Sequence, residues 1–270
     1  MLERIKILKI GGSVLTHKDE FSKLNINNVG NTALNIRKWL DRETRNKLVF
    51  ISGAGSFGHP LAHEFMLNEE TDKNKSSVGF LRTTINMQKM SNLIANVFLE
   101  YNVPLFPISP SSIFVTDEGR IFESYLGTIS KCLKGGHVPF LWGDAVIDLS
   151  HRYRILSGDQ IASYLYDELN IDQILFGTNV DGVYTDDPIL NPNAMRIKNI
   201  NNDNYDEVVK FLSYSLYIDV TKGMKGKLEE IFKTDRSLDC VIYNAERQDN
   251  TFRALCGESI GTRILLKRET

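Results

Sequence analysis

The chain has 270 residues, 42% hydrophobic and 24% charged, which suits one large α/β domain or two lobes that share a sheet. Its 32 Lys and Arg residues against 34 Asp and Glu residues give a net charge of −2, which argues against nucleic acid or an anionic membrane as a partner. No apolar run approaches the roughly 20 residues of a membrane span, and the first apolar run is followed by a glycine turn, unlike a signal peptide. The three scattered cysteines, Cys132, Cys240 and Cys256, favour reduced thiols in a cytoplasmic protein over a disulfide or zinc framework.

Short apolar runs alternate with helical patterns along the chain. The runs lack polar alternation, which is typical of buried strands in a parallel sheet. The predicted strands are Ile5–Ile10, Lys47–Ser52, Val138–Gly143, Asp172–Gly177, Val241–Asn244 and Thr262–Leu266. The predicted helices are Asn28–Asp41, Leu81–Leu99, Asp159–Leu169 and Tyr205–Leu212. This order predicts an α/β fold, a three-layer α/β/α sandwich with a mainly parallel central sheet. We expect a surface loop over Asn191–Asn204 and a change of lobe near residue 170.

Two glycine turns follow predicted strands. Residues 53–58, Gly-Ala-Gly-Ser-Phe-Gly, match the G-x-G-x-x-G spacing of a dinucleotide site, but no strand ending in an acidic residue follows about 20 residues later. A P-loop would need Lys and Ser or Thr where His59 and Pro60 stand. A second turn, Gly11-Gly12-Ser13, ends the first predicted strand. Two such turns on one sheet predict two phosphate groups held face to face for direct phosphoryl transfer, because glycines let backbone N–H groups approach an anion. The alternative, that both turns only connect strand to helix, stays open.

Lysines supply a second signal. Lys9 lies within an apolar strand, where a charge is costly unless it has a partner. Lys18 follows in the next turn, and residues 219–228, DVTKGMKGKL, carry Lys222, Lys225 and Lys227. Because fixed cations stabilise the charge on a moving phosphoryl group, lysines from separate segments are expected to converge on one point. Lys222 and Lys225 also fit an ordinary solvated loop.

Five motifs in order carry a resemblance to a known family. They are K-x-G-G-S from Lys9, G-S-F-G-H ending at His59, S-G-D ending at Asp159, T-x-V-D-G-V-Y ending at Tyr184, and G-M-x-x-K ending at Lys227. Together they resemble the amino acid kinase superfamily, and the G-S-F-G-H turn is similar to the isopentenyl phosphate kinases. The resemblance implies that family's fold and an ATP- and Mg²⁺-dependent phosphorylation of isopentenyl phosphate to isopentenyl diphosphate, a step of isoprenoid biosynthesis by a mevalonate-type pathway. It also implies a cytoplasmic homodimer that binds small-molecule substrates.

The resemblance further implies roles for individual residues. Residues 1–170 would form an acceptor lobe and residues 171–270 a nucleotide lobe on one continuous sheet. The expected catalytic residues are Lys9, Lys18, His59, Asp159 and Lys227. The expected nucleotide contacts are Gly11, Gly12, Ser13, Gly177, Thr178, Asp181, Gly182, Tyr184, Gly223 and Met224, with the amides of the first three on the ATP phosphates. The expected acceptor contacts are Gly53, Ala54, Gly55, Gly58, His59, Thr84, Met87, Gly143, Asp144 and Gly158.

Within that scheme, Asp159 would orient the lysines, and no general base is required because the acceptor phosphate is already an anion. Thr84, Met87, Gln88 and Ser91 share one helical stripe, which would form the wall of an apolar slot or simply pack in the core. His59 and His63 lack a third ligand for a metal site.

Departures and alternatives remain. Ala54, Lys222 and Asn179 stand where the family more often has Gly, Gly and Asp; Ala54 fits if its φ is negative. The rival kinases are a sister enzyme with a phosphonate-antibiotic acceptor, similar to the fosfomycin kinases, or with an amino acid acceptor. The rivals outside the kinases are an NAD-dependent oxidoreductase and a catalytically silent nucleotide-sensing module.

Overall fold

The computed structural model describes residues 4–69, 73–186, 188, 191–214 and 223–268. The strands in chain order are β1 (Arg4–Ile10), β2 (Asn46–Ser52), β3 (Leu105–Pro107), β4 (Phe114–Asp117), β5 (Arg120–Ser124), β6 (Val138–Trp142), β7 (Asp144–Asp148), β8 (Arg152–Leu156), β9 (Gln173–Thr178), β10 (Val183–Tyr184), β11 (Arg196–Ile197), β12 (Asn199–Asn201), β13 (Leu238–Asn244) and β14 (Thr262–Leu266). The α-helices are α1 (Gly12–Leu15), α2 (Ile26–Leu40), α3 (Gly55–Glu64), α4 (Lys73–Glu100), α5 (Gly127–Lys134), α6 (Gly158–Glu168), α7 (Tyr205–Tyr214), α8 (Gly223–Phe232) and α9 (Asn250–Leu255).

The central sheet has eight strands in the order β12-β14-β13-β9-β1-β2-β6-β3. Neighbours from β13 to β3 pair in parallel, whereas β14 pairs with β13 in the antiparallel sense. Because side chains alternate along each strand, one face packs against α5, α6, α7 and α8, and the other against α2, α4 and α9. The expected three-layer sandwich with a mainly parallel sheet is confirmed.

The sheet brings four strand ends to one edge. Ile10 at the end of β1 pairs with Ser52 of β2 and with Gly177 of β9, and Ser52 pairs with Trp142 of β6. All four strands run parallel, so their carboxyl ends and the turns that follow them are neighbours. Ligands of open parallel sheets bind at such an edge.

The fold differs from the sequence-based expectation in several parts. The helix expected over Leu81–Leu99 begins at Lys73, and β3, α5 and α9 were not predicted. A second, four-stranded sheet, β5-β4-β7-β8, packs two short hairpins beside the main sheet, and the sequence analysis did not predict it. The expected surface loop over Asn191–Asn204 contains two short strands instead. β11 pairs with β10, and β12 extends the main sheet by pairing with β14. The polar Asn residues alternate there with Ile200, which is buried, so the segment is a sheet edge with one apolar face.

Among the residues that the structure describes, no helix is long and apolar enough to cross a bilayer. The three cysteines are unpaired, and burial raises the pKa of the Cys132 thiol to about 11.

Candidate active site

The two glycine turns touch each other through their backbones. A methyl group built on Gly12 would lie 2.2 Å from the amide nitrogen of Gly55, and one built on Gly53 would lie 2.4 Å from the amide nitrogen of Gly12. Gly55 also has a φ of +49°, a region that glycine adopts at little cost. Only glycine fits at these positions, and the turns after β1 and β2 therefore form one continuous backbone surface.

Unengaged backbone amides line that surface. Among the described residues, the N–H groups of Gly12, Ser13, Ala54 and Gly55 donate to no carbonyl, and α3 begins at Gly55. Such groups at a helix start are an anion-binding arrangement. Ala54 has a φ of −71°, so its side chain is accommodated where the family more often has Gly, as expected.

Three of the glycine amides expected at the ligands are engaged elsewhere. The N–H of Gly11 donates to the carbonyl of Gly177 at 2.8 Å, that of Gly53 donates to Ile10 at 2.8 Å, and that of Gly58 donates to Ala54 at 3.2 Å. The prediction that the Gly11 amide serves a nucleotide phosphate is therefore corrected. Gly11 and Gly53 hold the turns on the sheet, and their neighbours carry the open donors.

A third turn enters the cleft from α6. Ser157 caps α6 through a reciprocal capping box with Gln160. A methyl group on Gly158 would lie 3.2 Å from Cε of Lys9, and one on Gly143 would lie 3.2 Å from the Gly158 amide nitrogen and 3.8 Å from that of Ala54. The start of α6 thus faces the turn after β2, residues 53–58, which is the expected acceptor turn. Asp159 in the first turn of α6 faces Lys9.

Asp159 joins two lysines from different parts of the chain. The Nζ of Lys9 lies 2.8 Å from Oδ1 of Asp159, and the Nζ of Lys227 lies 2.8 and 2.9 Å from its two carboxylate oxygens. Both lysines are only 7% exposed, and Lys227 also lies over the Phe176 ring at 4.7 Å. The partner that Lys9 was expected to need is therefore present, and one carboxylate positions both ammonium groups.

The charges of this cluster shift each other's ionisation. Burial favours the neutral acid of Asp159, but the charges of Lys227 and Lys9 outweigh burial and hold its pKa well below the usual range. Burial lowers the pKa of Lys227 to about 8, with Lys9 acting in the same direction and Asp159 against it. Two cations around one anion leave a net positive charge in a mostly buried cleft, which favours an anionic ligand.

Lys18 and His59 lie outside this ion-pair cluster. Lys18 is exposed on the loop after α1. Burial raises the pKa of Glu246, which follows β13, and the charge of Lys18 opposes that shift. Lys18 therefore lies toward the same sheet edge but makes no ion pair with Asp159. His59 is half-buried in the second turn of α3, and His63 is exposed one turn later.

The expected nucleotide contacts fall into two groups. Gly177 is buried within β9, where a methyl group would lie 2.3 Å from Ile10, and Thr178 bonds to Val180 and Tyr243. These two residues pack the sheet. Asp181, Gly182 and Tyr184 follow on the loop into β10, and Gly223 and Met224 open α8. Asp181 forms an ion pair with Arg247, beside a polar cavity of about 240 Å³. Lys222 lies outside the described residues.

The predicted apolar wall on α4 is only partly present. Thr84 is 7% exposed and Ser91 is buried, but Gln88 is exposed. Met87 has no exposed surface, and its sulfur would lie 2.9 Å from a methyl group on Gly58. Met87 therefore supports the acceptor turn from the core and does not line an open slot, which corrects that expectation.

An apolar cluster that was not predicted from the sequence lies beside the acceptor turn. It joins α3, α4, β7 and β8, with Phe80 and Ile155 partly exposed at its edge; its buried members are Leu61, Phe65, Leu67 and Ala145. These residues come from four elements, so no local sequence pattern brings them together.

Asp144 does not face the cleft. It is 1% exposed, accepts hydrogen bonds from the Ala145 amide at 2.9 Å and from Trp142 Nε1 at 3.2 Å, and burial raises its pKa to about 7. It anchors the chain after β6, and Gly143 is the residue that reaches the acceptor turn. The expected ligand contact of Asp144 is corrected accordingly.

Comparison with known proteins agrees with this geometry. The model of the amino acid kinase family matches residues 4–244. The chain belongs to the amino acid kinase family. The isopentenyl phosphate kinase of Methanocaldococcus jannaschii is 35% identical over 96% of this chain and 98% of its own length. That of Methanothermobacter thermautotrophicus is 33% identical over the same shares.

Solved structures give the same result. An X-ray structure of isopentenyl phosphate kinase aligns with a TM-score of 0.83 at 30% identity, over 97% of this chain and 100% of that one. The expected membership of the isopentenyl phosphate kinase branch is confirmed. Within this amino acid kinase, the two glycine turns, the lysines and the capped start of α6 all lie at the carboxyl edge of one sheet.

Proposed function

We propose that this amino acid kinase transfers the γ-phosphoryl group of ATP to isopentenyl phosphate, giving ADP and isopentenyl diphosphate. The observation that carries the proposal is the backbone contact between the turns at Gly12 and Gly55, beside the cluster of Lys9, Asp159 and Lys227. Two phosphate groups bound to turns in contact would lie close enough for direct transfer.

The chemistry asks little of the protein beyond position and charge. An oxygen of the acceptor phosphate attacks the γ-phosphorus, the bond from that phosphorus to the β–γ bridging oxygen breaks, and ADP leaves with the electron pair. The attacking oxygen carries no proton that must be removed. Lys9 and Lys227 would stabilise the charge on the moving group, and the amides of Gly12 and Ser13 would hold the nucleotide phosphates.

Asp159 would act as a positioning residue. Both of its oxygens accept hydrogen bonds from lysine, so neither is placed to act as a base. Removing it would leave two buried ammonium groups without their shared partner. Lys18 would reach the transferring phosphate from the loop after α1.

The acceptor phosphate would bind at the start of α3. The amides of Ala54 and Gly55 and the imidazole of His59 would donate to it. Two buried hydroxyls at this turn, Ser52 and Ser56, have no partner among the described residues, which fits a site built for a polar ligand. The isoprenoid tail would lie along the apolar cluster edged by Phe80 and Ile155, with Thr84 nearby on α4.

Magnesium would enter with the nucleotide. Among the described residues, no group of three His, Cys, Asp or Glu side chains could hold a metal ion, and Asp159 is engaged by lysine. Mg²⁺ is commonly held by substrate phosphates and water, and it would neutralise phosphate charge there. The cytoplasmic location, the homodimer and the division into lobes 1–170 and 171–270 stay predictions.

A phosphonate or an amino acid acceptor is the alternative. The isopentenyl phosphate kinases that match over nearly the whole chain do not favour it. An apolar cluster beside the acceptor turn also suits a hydrocarbon tail better than the charged α-amino group of an amino acid.

A substrate panel tests the proposal. The protein is incubated with ATP, Mg²⁺ and either isopentenyl phosphate, fosfomycin or glutamate, and products are followed by ³¹P NMR. We expect a diphosphate from isopentenyl phosphate alone. His59→Ala should abolish most of this turnover while nucleotide binding persists, and His63→Ala, one turn along the same helix, should not. Phosphorylation of another acceptor in preference to isopentenyl phosphate would contradict the assignment.

A further inference from the structure

Thr16 lies between the two phosphate-binding turns. It follows α1 and is 3% exposed. Its hydroxyl donates to the carbonyl of Gly12 at 2.8 Å and accepts from the amide of Ser56 at 3.0 Å. A single side-chain oxygen therefore joins the nucleotide turn to the first turn of the acceptor helix.

The contact around that oxygen leaves little room for adjustment. A methyl group on Gly55 would lie 2.3 Å from the Thr16 hydroxyl and 2.9 Å from the carbonyl of Gly12. The hydroxyl fills the space that a side chain at Gly55 would need. The separation of the two turns is consequently restrained by backbone contact and by the Thr16 bridge.

The segment after α1 forms a second hydrogen bond with Ser56, through Ser22. Pro60 has no N–H to donate to the carbonyl of Ser56, four residues earlier in α3. The amide of Ser22 donates to that carbonyl instead, at 3.2 Å. Asn86 of α4 connects the two segments further. Its side-chain amide donates to the hydroxyl of Ser22 at 2.8 Å and to the carbonyl of Phe57 at 2.7 Å.

We propose that Thr16 is a positioning residue that sets the distance between the bound nucleotide phosphates and the acceptor phosphate. Its hydroxyl engages the Ser56 amide, whereas the Gly55 amide donates to no carbonyl among the described residues. The inference rests on the proposed function for its kinetic consequence, whereas the bridge itself can be observed without turnover.

The kinetic test compares Thr16→Val with Thr16→Ser. Valine keeps the shape and removes the bridge, whereas serine keeps the hydroxyl. Because a small misplacement of reacting groups costs rate more than binding, we expect Thr16→Val to lower kcat at least about tenfold and to leave both KM values within about threefold. Thr16→Ser should recover most of kcat. A kcat for Thr16→Val within about twofold of the wild type, or a loss that Thr16→Ser shares, would overturn the proposal.

Thr32→Val is the matched control. Thr32 is a buried threonine of α2 whose hydroxyl donates at 2.8 Å to the carbonyl four residues earlier, Asn28, and bonds to no other described residue. The Thr32→Val variant should lose about as much thermal stability as Thr16→Val, and its kcat should be unchanged. If Thr16→Val does not fold, Thr16→Ala and Thr32→Ala are compared by the same criteria.

Hydrogen exchange separates this inference from the proposed function. The Ser56 amide should be protected in the wild type and should exchange at least about tenfold faster in Thr16→Val. If the wild type does not phosphorylate isopentenyl phosphate, the proposed function fails, and the exchange rate still decides whether Thr16 joins the turns. Unchanged exchange of Ser56 in Thr16→Val would refute the bridge.

Discussion

Keeping Lys227 charged carries an electrostatic cost in the cleft. Its ammonium group is almost wholly buried beside Lys9, another cation, and is stabilised chiefly by Asp159. The pKa of Lys227 falls from 10.5 to about 8. Between these values the folded protein binds fewer protons at this site than the unfolded chain, so the cost of keeping Lys227 charged is felt below pH 8 and is relieved as pH rises toward 10.5. A functional requirement for the charge would explain why that cost is retained.

Lys227 therefore predicts an alkaline limit to activity. We expect kcat/KM for ATP to fall above pH 8, approaching about tenfold per pH unit, as the ammonium group loses its proton. The limb in kcat should lie at higher pH, because bound phosphates favour the charged form. The measurement is a pH–rate profile of the wild type and of Lys227→Arg, whose guanidinium stays charged. If the alkaline fall in rate occurred at the same pH in Lys227→Arg, Lys227 would not be the group that causes it.

At the scale of elements, α4 and the hairpin of β7 and β8 form the wall of the apolar cluster. Phe80 of α4 stacks on Tyr153 of β8 with ring centroids 4.4 Å apart. Met87 lies two turns further along α4, sealed in the core beneath Gly58. The two side chains are on the same helix, but removal of Phe80 would enlarge the apolar cluster whereas removal of Met87 would leave a cavity in the core.

Phe80 and Met87 consequently give different predictions. Phe80→Ala should open the end of the slot and raise the ratio of kcat/KM for geranyl phosphate to that for isopentenyl phosphate. Met87→Ala should instead lower the free energy of unfolding by about 2–5 kcal/mol and leave that ratio unchanged, because it creates a core cavity. Steady-state kinetics with both substrates and denaturant unfolding distinguish them. If Met87→Ala alone raised the ratio of kcat/KM for geranyl phosphate to that for isopentenyl phosphate, Met87 would line the slot as the sequence predicted.

The sequence predicted the elements whose pattern is local. Six of the eight central strands and the long helices have continuous apolar runs or a helical stripe, and the residue pattern marks both glycine turns. The three-residue β3 was not predicted, and β12 lies in a segment expected to be a loop. The hairpin sheet was missed because its strands are short and β5 is mostly exposed, so neither run nor alternation marks it.

The site was predicted where residue chemistry demanded a partner. A lysine within an apolar strand indicated an ion pair, and Lys9 has one with Asp159. Thr16, the engaged amide of Gly11 and the burial of Met87 could not be foreseen, because each depends on a contact between segments far apart in the chain. Only its spacing of four residues after Gly12 marks Thr16 in the sequence.

In the whole molecule, one sheet carries strands from both halves of the chain. β1 pairs with β2 on one side and with β9 on the other, so the glycine turn of β1 lies between the turn of β2 and the strand end at Thr178. Lys9, near the end of β1, forms an ion pair with Asp159 of α6, which also pairs with Lys227 of α8. The fold thus assembles the cleft from both halves of the sequence.

Direct transfer requires that the adjoining turns hold both substrates at once. Initial rates measured over a matrix of ATP and isopentenyl phosphate concentrations test this requirement. We predict double-reciprocal lines that intersect, since a ternary complex must form before the phosphoryl group moves. Parallel lines, together with a phosphorylated protein isolated after incubation with ATP alone, would show a covalent intermediate in place of direct transfer.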